Sequence, residues 1–180
     1  RRLQEHDRRS VRLPGFDYAQ PGAYFVTVCT KDRRCILGSV ADGRVLLSPT
    51  GAVAEDCWRL IPDHFSSANV DAFVAMPNHV HGIIVIADGA GVRHASPLRN
   101  GPAPASIGAI VGSFKSAATR LAKRNAGLSD QPLWQRGYWE HVIRGERQLD
   151  VIRRYIQHNP LMWEVDADNQ AAHFPGQEDP

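Results

Sequence analysis

The chain has 180 residues, of which 43% are hydrophobic and 22% charged, the length and composition of one soluble globular domain able to bury its own core. The apolar run at residues 82–87 is far shorter than the roughly 20 residues of a membrane span. Cys29, Cys35 and Cys57 are odd in number and lack Cys-x-x-Cys spacing, which argues against a disulfide framework or a thiolate zinc site.

The net charge of +2 conceals a segregation. Residues 161–180 hold five acids and no Lys or Arg, so residues 1–160 carry 21 bases against 14 acids, a net +7. A polyanionic partner would suit that balance, although a merely solvated basic surface would look the same. Arg1, Arg2, Arg8, Arg9 and Arg12 open the chain, and Pro14, Gly15, Pro21 and Gly22 mark an irregular lead-in. Residues 23–30 (AYFVTVCT) alternate aromatic and β-branched side chains, the pattern of a strand. Asp42-Gly43 is a turn signal before a short strand at 44–47. Ser48 can cap a helix with Pro49 in its first turn, and Val53, Cys57, Leu60 and Ile61 recur at helical spacing until Pro62. Residues 70–75 and 79–87 are two more strands, joined tightly near Pro77-Asn78, with the β-branched content of a central position.

Residues 88–104, rich in Gly, Pro, Ala and Ser and carrying Arg93, His94 and Arg99, read as a long mobile loop. Ile107, Ile110, Val111, Phe114, Ala118 and Leu121 then form one apolar helical face, with Lys115, Arg120, Lys123 and Arg124 around the other sides. Residues 133–142 are expected as an extended connector. Trp134, Tyr138 and Trp139 would pack there, and an exposed ring could stack on an unpaired base. Residues 148–158 are helical by period, with Leu149, Ile152 and Ile156 as the buried stripe and Pro160 as the stop. Short turns between strands require antiparallel pairing. The class expected is therefore α+β, most economically ferredoxin-like, with helices packed on one face of the sheet.

Two segments carry the chemistry. In Met76-Pro77-Asn78-His79-Val80-His81-Gly82, strand alternation turns both imidazoles to one side and Val80 to the other. Two neutral imidazoles suit an open site for Mn(II), Co(II), Ni(II) or Zn(II), and with an oxygen ligand and water positions for Mg(II). The alternative is one core histidine and one bonded to a carbonyl, against which it counts that both rings leave the face that Val80, Ile84 and Ile86 share. In Tyr155-Ile156-Gln157-His158-Asn159-Pro160, helical spacing puts Tyr155 and Asn159 on one face, with His158 about 100° further round. Tyr155 is either a packing residue with its hydroxyl at the rim or a nucleophile, and Asn159 can be simply a helix-terminal residue before proline. A metal beside a nucleophilic phenol points to phosphodiester chemistry on DNA.

These two segments resemble the single-tyrosine HUH transposases. More narrowly the chain is similar to the REP-associated tyrosine transposases, domesticated relatives linked to repetitive extragenic palindromes in bacterial genomes. The resemblance also takes in Arg9-Ser10-Val11-Arg12-Leu13-Pro14-Gly15, residues 22–30 and residues 134–144, so that it spans residues 8–163. It implies His79 and His81 as metal ligands, Tyr155 as nucleophile, and Asn159 as the third ligand, a position that is glutamine in some mobile-element relatives. It implies a divalent cofactor, Mg2+ or Mn2+, and an activity as single-strand DNA endonuclease and strand transferase next to hairpins of the palindrome type. In that family the tyrosine keeps the 5′-phosphate and a 3′-hydroxyl is released.

On this reading residues 1–22 are a basic lead-in, 23–163 one catalytic domain and 164–180 an acidic tail. Arg8, Arg9, Arg12, Arg93, Arg99, Lys115, Lys123 and Arg124 are candidates for phosphate contacts. A monomer or homodimer in the bacterial cytoplasm, associated with the nucleoid through DNA and not with a membrane, is expected. The rival readings are a non-cleaving hairpin binder or repressor with the same fold, and a double-stranded β-helix oxygenase, against which the two helical segments count.

Overall fold

The computed structural model describes residues 20–87 and 106–166. Arg8, Arg9, Arg12, Arg93 and Arg99, the 88–104 loop and most of the acidic tail lie outside the described residues. In chain order the elements are β1 (Gly22–Cys29), β2 (Gly38–Ala41), β3 (Arg44–Leu47), α1 (Pro49–Arg59), α2 (Ile61–His64), β4 (Ala68–Met76), β5 (His79–Ile86), α3 (Ile107–Asn125), β6 (Trp139–Ile143) and α4 (Glu146–His158). One sheet has the order β4-β5-β1-β6 and is antiparallel throughout, while β2 and β3 pair as a separate hairpin. Without that hairpin, α2 and the C-terminal α4, the succession is β-α-β-β-α-β with the first and third strands central, the ferredoxin-like topology expected from the sequence.

Local chemistry accounts for the boundaries. Ser48 accepts a hydrogen bond from the Gly51 amide and Pro49 fills the first turn of α1, and Ser106 does the same for α3 through the Ala109 amide. Asp42 and Gly43, at φ 51° and 67°, form the left-handed pair that a two-residue hairpin requires. The helix begun at Ser48 stops at Arg59, and Pro62 falls in the first turn of α2 instead of ending one long helix. Pro160 likewise ends α4 without ending helical geometry. A 3-10 segment, Asn159–Val165, continues from it, with the proline where no amide is needed.

Helices α1 and α3 form the layer expected on one face. Tyr24, Val26, Val28, Val80, Ile84 and Ile86 of the sheet pack there with Trp58, Ile110 and Phe114. Gly82 belongs to this face for a steric reason: a β-carbon at that position would run into the Trp58 indole, which stacks on Phe73 with ring centroids 5.0 Å apart. The opposite face is crossed by α4, whose Leu149, Ile152 and Ile156 meet Phe25, Ile83 and Ile143. That second, smaller packing surface brings the C-terminal helix against the strand that carries the two histidines.

Candidate active site

His79 and His81 sit where β5 leaves the Pro77-Asn78 turn, opposite Cys29 and Thr27 of β1 and Met76 and Val74 of β4. Both rings project to the α4 face, 4.4 Å apart between centroids, and both are buried. Each is held through Nδ1. The Asn78 carboxamide oxygen lies 2.8 Å from His79 Nδ1 and can only accept, so that nitrogen carries the proton and Nε2 keeps its lone pair. Thr27 Oγ1 lies 2.8 Å from His81 Nδ1, and the tautomer in which Nδ1–H donates to it again leaves Nε2 basic.

His79 Nε2 is buried with no hydrogen-bond partner. Burial, with a smaller contribution from the nearby Arg33 charge, holds the His79 imidazolium down to a pKa of about 3, so the ring is neutral at physiological pH. Arg33 follows Asp32, both at positive φ, 54° and 55°, in the short turn that leaves β1. The Tyr155 hydroxyl lies 3.4 Å from His81 Nε2, its ring edge-on to Phe25 and 49% exposed. One turn further on, Asn159 is 3% exposed and its Oδ1 has no hydrogen-bond partner. Trp163, in the 3-10 segment, reaches back to within 6.2 Å of the His79 ring.

The donor set fits a divalent cation. His79 Nε2 and Asn159 Oδ1 are buried with no hydrogen-bond partner, His81 Nε2 lies beside the Tyr155 hydroxyl, and the phenol itself is half exposed. Among the described residues no group of three or more His, Cys, Asp or Glu could hold a metal, so the Asn159 amide would be required as ligand. His158 does not compete. Its Nδ1 bonds the Arg154 carbonyl at 2.8 Å on the exposed side of the helix.

Arg153 fixes α4 to the sheet, its Nε and Nη2 donating to Asp71 of β4 at 3.0 and 2.7 Å and its Nη1 to Asp150 at 3.2 Å. The Arg153 hydrogen bonds hold the Asp71 carboxyl below the usual carboxylate range. Sequence reasoning missed Asp71, and with it Thr27, Asn78, Phe25 and Arg33. Asn78 stood in the quoted motif beside His79, but Thr27 and Phe25 become neighbours of the histidines only through the β1–β5 register.

The three described phosphate-contact candidates lie on α3, across the sheet from this site. Lys115 donates to the carbonyls of Gln135 and Gly137 at 2.7 and 2.8 Å, and burial lowers its pKa. Lys123 pairs with Asp130 at 3.2 Å, and Arg124 is exposed near the end of the helix.

No protein-family model matches the chain. An uncharacterized protein of Haemophilus influenzae is 38% identical over 168 residues, covering 89% of this chain and 92% of the relative. Among solved structures, a REP-associated tyrosine transposase bound to a REP hairpin superposes with a TM-score of 0.56 at 20% identity, over 88% of this chain and 73% of that one. The fold is therefore shared with that transposase. No helix among the described residues is long and apolar enough to cross a membrane.

Proposed function

The chain belongs to one family with the Haemophilus influenzae protein and has the fold of a REP-associated tyrosine transposase, and from the site set into that fold we propose a single-strand DNA endonuclease and strand transferase. Its substrate is single-stranded DNA beside a hairpin of the repetitive extragenic palindrome kind. The solved transposase is bound to a REP hairpin, and the excess of positive charge in residues 1–160 suits the same partner. The observation that carries the proposal is the Tyr155 hydroxyl 3.4 Å from an imidazole nitrogen whose neighbour, His79 Nε2, is buried without a partner.

In this reading His79, His81 and Asn159 would hold Mg2+ or Mn2+, which would supply polarisation of a phosphate oxygen and offset the charge that develops there. Asn78 and Thr27 keep both Nε2 lone pairs turned to that position. Tyr155, half exposed, presents its oxygen to a substrate arriving from solvent. The phenol loses its proton to water, its oxygen attacks phosphorus, and the bond to the 3′ oxygen breaks. The protein is left joined to the 5′-phosphate and a 3′-hydroxyl departs. One phosphodiester replaces another, so a second 3′-hydroxyl can reverse the step on a different strand without a nucleotide cofactor.

Incubation with labelled hairpin DNA and Mn2+, followed by denaturing electrophoresis, tests the proposal. Wild-type protein should yield a covalent adduct at the 5′ end of the product. Tyr155→Phe should bind hairpin DNA and yield neither adduct nor nick, while Tyr138→Phe should behave as wild type. Binding without cleavage by the wild type would make the chain a hairpin-binding protein and sink the catalytic assignment.

A further inference from the structure

Trp139 opens β6 and is 41% exposed, unlike Trp58, Trp134 and Trp163, which are all buried. Its position follows from the register. Thr27 of β1 pairs with His81 on one side and with Trp139 on the other, so the three share one row and one face of the sheet. Two strand spacings, about 10 Å, separate the backbone of Trp139 from that of His81.

The indole is also held in place. It meets the Phe25 ring edge-on at 5.5 Å, and Phe25 touches both His81 and Tyr155. It lies nearly parallel to the His141 ring, 6° between planes and 5.9 Å between centroids. His141 is in turn fixed by a 2.7 Å hydrogen bond to the Gln148 amide of α4, the helix that carries Tyr155. A large aromatic ring that is half exposed, braced from behind and linked to Tyr155 through the Phe25 ring has the form of a binding surface and not of a core residue.

We propose that Trp139, braced by Phe25 and His141, is a stacking platform for an unpaired nucleobase flanking the phosphate that Tyr155 attacks. The inference rests on the nuclease reading and deepens it, because it names what selects single-stranded substrate. Both faces of a base inside a duplex are already covered by its neighbours. Only an unpaired base has a face to give to the indole, and any of the four bases can give it.

The test is a scan of abasic sites. Hairpin oligonucleotides with a single-stranded flank are made with one base at a time removed through the flank, and equilibrium binding and nicking are measured in Mn2+ for wild type, Trp139→Phe and Trp139→Leu. Leucine keeps apolar bulk against Phe25 but has no π-face, so its folding is checked by thermal unfolding against the wild type. In the wild type, removal of one base beside the cut should weaken binding roughly ten- to hundredfold, the range for loss of a base–aromatic stack. Trp139→Leu should bind the intact oligonucleotide that much more weakly and be indifferent to loss of that base, while Trp139→Phe keeps most of the sensitivity. A wild type that cuts, with Trp139→Leu showing the same abasic profile, overturns the platform and leaves the nuclease standing. A wild type that neither binds nor cuts any of the oligonucleotides overturns both, and that is visible before any variant is made.

Discussion

Strand β5 serves two faces of one sheet, and they are built on different terms. Toward α1 and α3 it sends Val80, Gly82, Ile84 and Ile86, and that side is a continuous apolar core with the Trp58 indole laid over Gly82. Toward α4 it sends His79, His81, Ile83 and Val85, a face with four buried apolar residues on which His79 Nε2 is buried without a partner, as is Asn159 Oδ1 at the end of α4. A buried polar atom lacking its hydrogen bond costs about 1–3 kcal/mol. The site face therefore carries a penalty that the large core on the other face offsets, and the two should come apart under substitution.

The largest effect tests that separation directly. Replacing both His79 and His81 by alanine should abolish metal binding and cleavage, read by Mn2+ titration and by the adduct assay, while the chain still folds on its larger core. Ile84→Ala, on the same strand but turned the other way, should lower unfolding free energy in urea by roughly 2–5 kcal/mol and leave Mn2+ binding in place. Cleavage that survives the double substitution under chelation, or vanishes in a folded Ile84→Ala protein, would break the comparison. Gly82→Ala sharpens it with one methyl group. The added carbon meets the Trp58 indole, so overpacking should cost about 1–3 kcal/mol with the histidines on the far side undisturbed.

A pH titration separates the faces without mutation. The unfolded chain protonates His79 near pH 6.5, whereas burial delays this in the folded protein to about 3. Above 6.5 neither state holds the proton and nothing is lost. Below it the unfolded state gains a proton that the folded state refuses, so stability falls by about 1.4 kcal/mol per pH unit, or about 2 kcal/mol by pH 5. Denaturation in chelator over that window should show the slope in wild type and a flatter line in His79→Gln. Asp71, held below the carboxylate range, contributes only at lower pH. Equal slopes in both proteins would mean that His79 is not shielded from solvent as the site requires.

What could be read from the sequence divides along the same line. The alternation of residues 79–86 and the helical period of residues 148–158 were enough to place the two histidines on one face and Tyr155 with Asn159 on another, because period is a local property of the chain. The core of α3 came out nearly whole, except that Ala122 is buried where Leu121 was expected and Leu121 is only partly covered. The short strand β2 was missed, since Gly38-Ser39-Val40-Ala41 has little alternation to show. The side of the sheet on which α4 lies, the pairing of Thr27 with both His81 and Trp139, and the return of Trp163 to His79 all depend on contacts between distant residues. Lys115 shows the same limit. Its basicity was visible in the sequence, but its attachment to the Gln135 and Gly137 carbonyls was not.

The smallest effect expected concerns how α4 is kept in register with the strand it crosses. On the site face Arg153, two residues before Tyr155, grips both oxygens of Asp71. The pair is only partly buried, and its importance should be mainly positional. Asp71→Asn keeps the side-chain shape and one acceptor but removes the charge that orients the guanidinium. Single-turnover cleavage at saturating DNA should then slow several-fold, with hairpin affinity and unfolding midpoint close to wild type, because a small shift of Tyr155 relative to His81 weakens attack more than binding. Salt provides the control: screening should slow the wild type toward the variant and change the variant little. If Asp71→Asn cleaves at the wild-type rate at low salt, the apolar stripe of Leu149, Ile152 and Ile156 sets the helix by itself, and the two faces differ less in how they hold their helices than in what they hold between them.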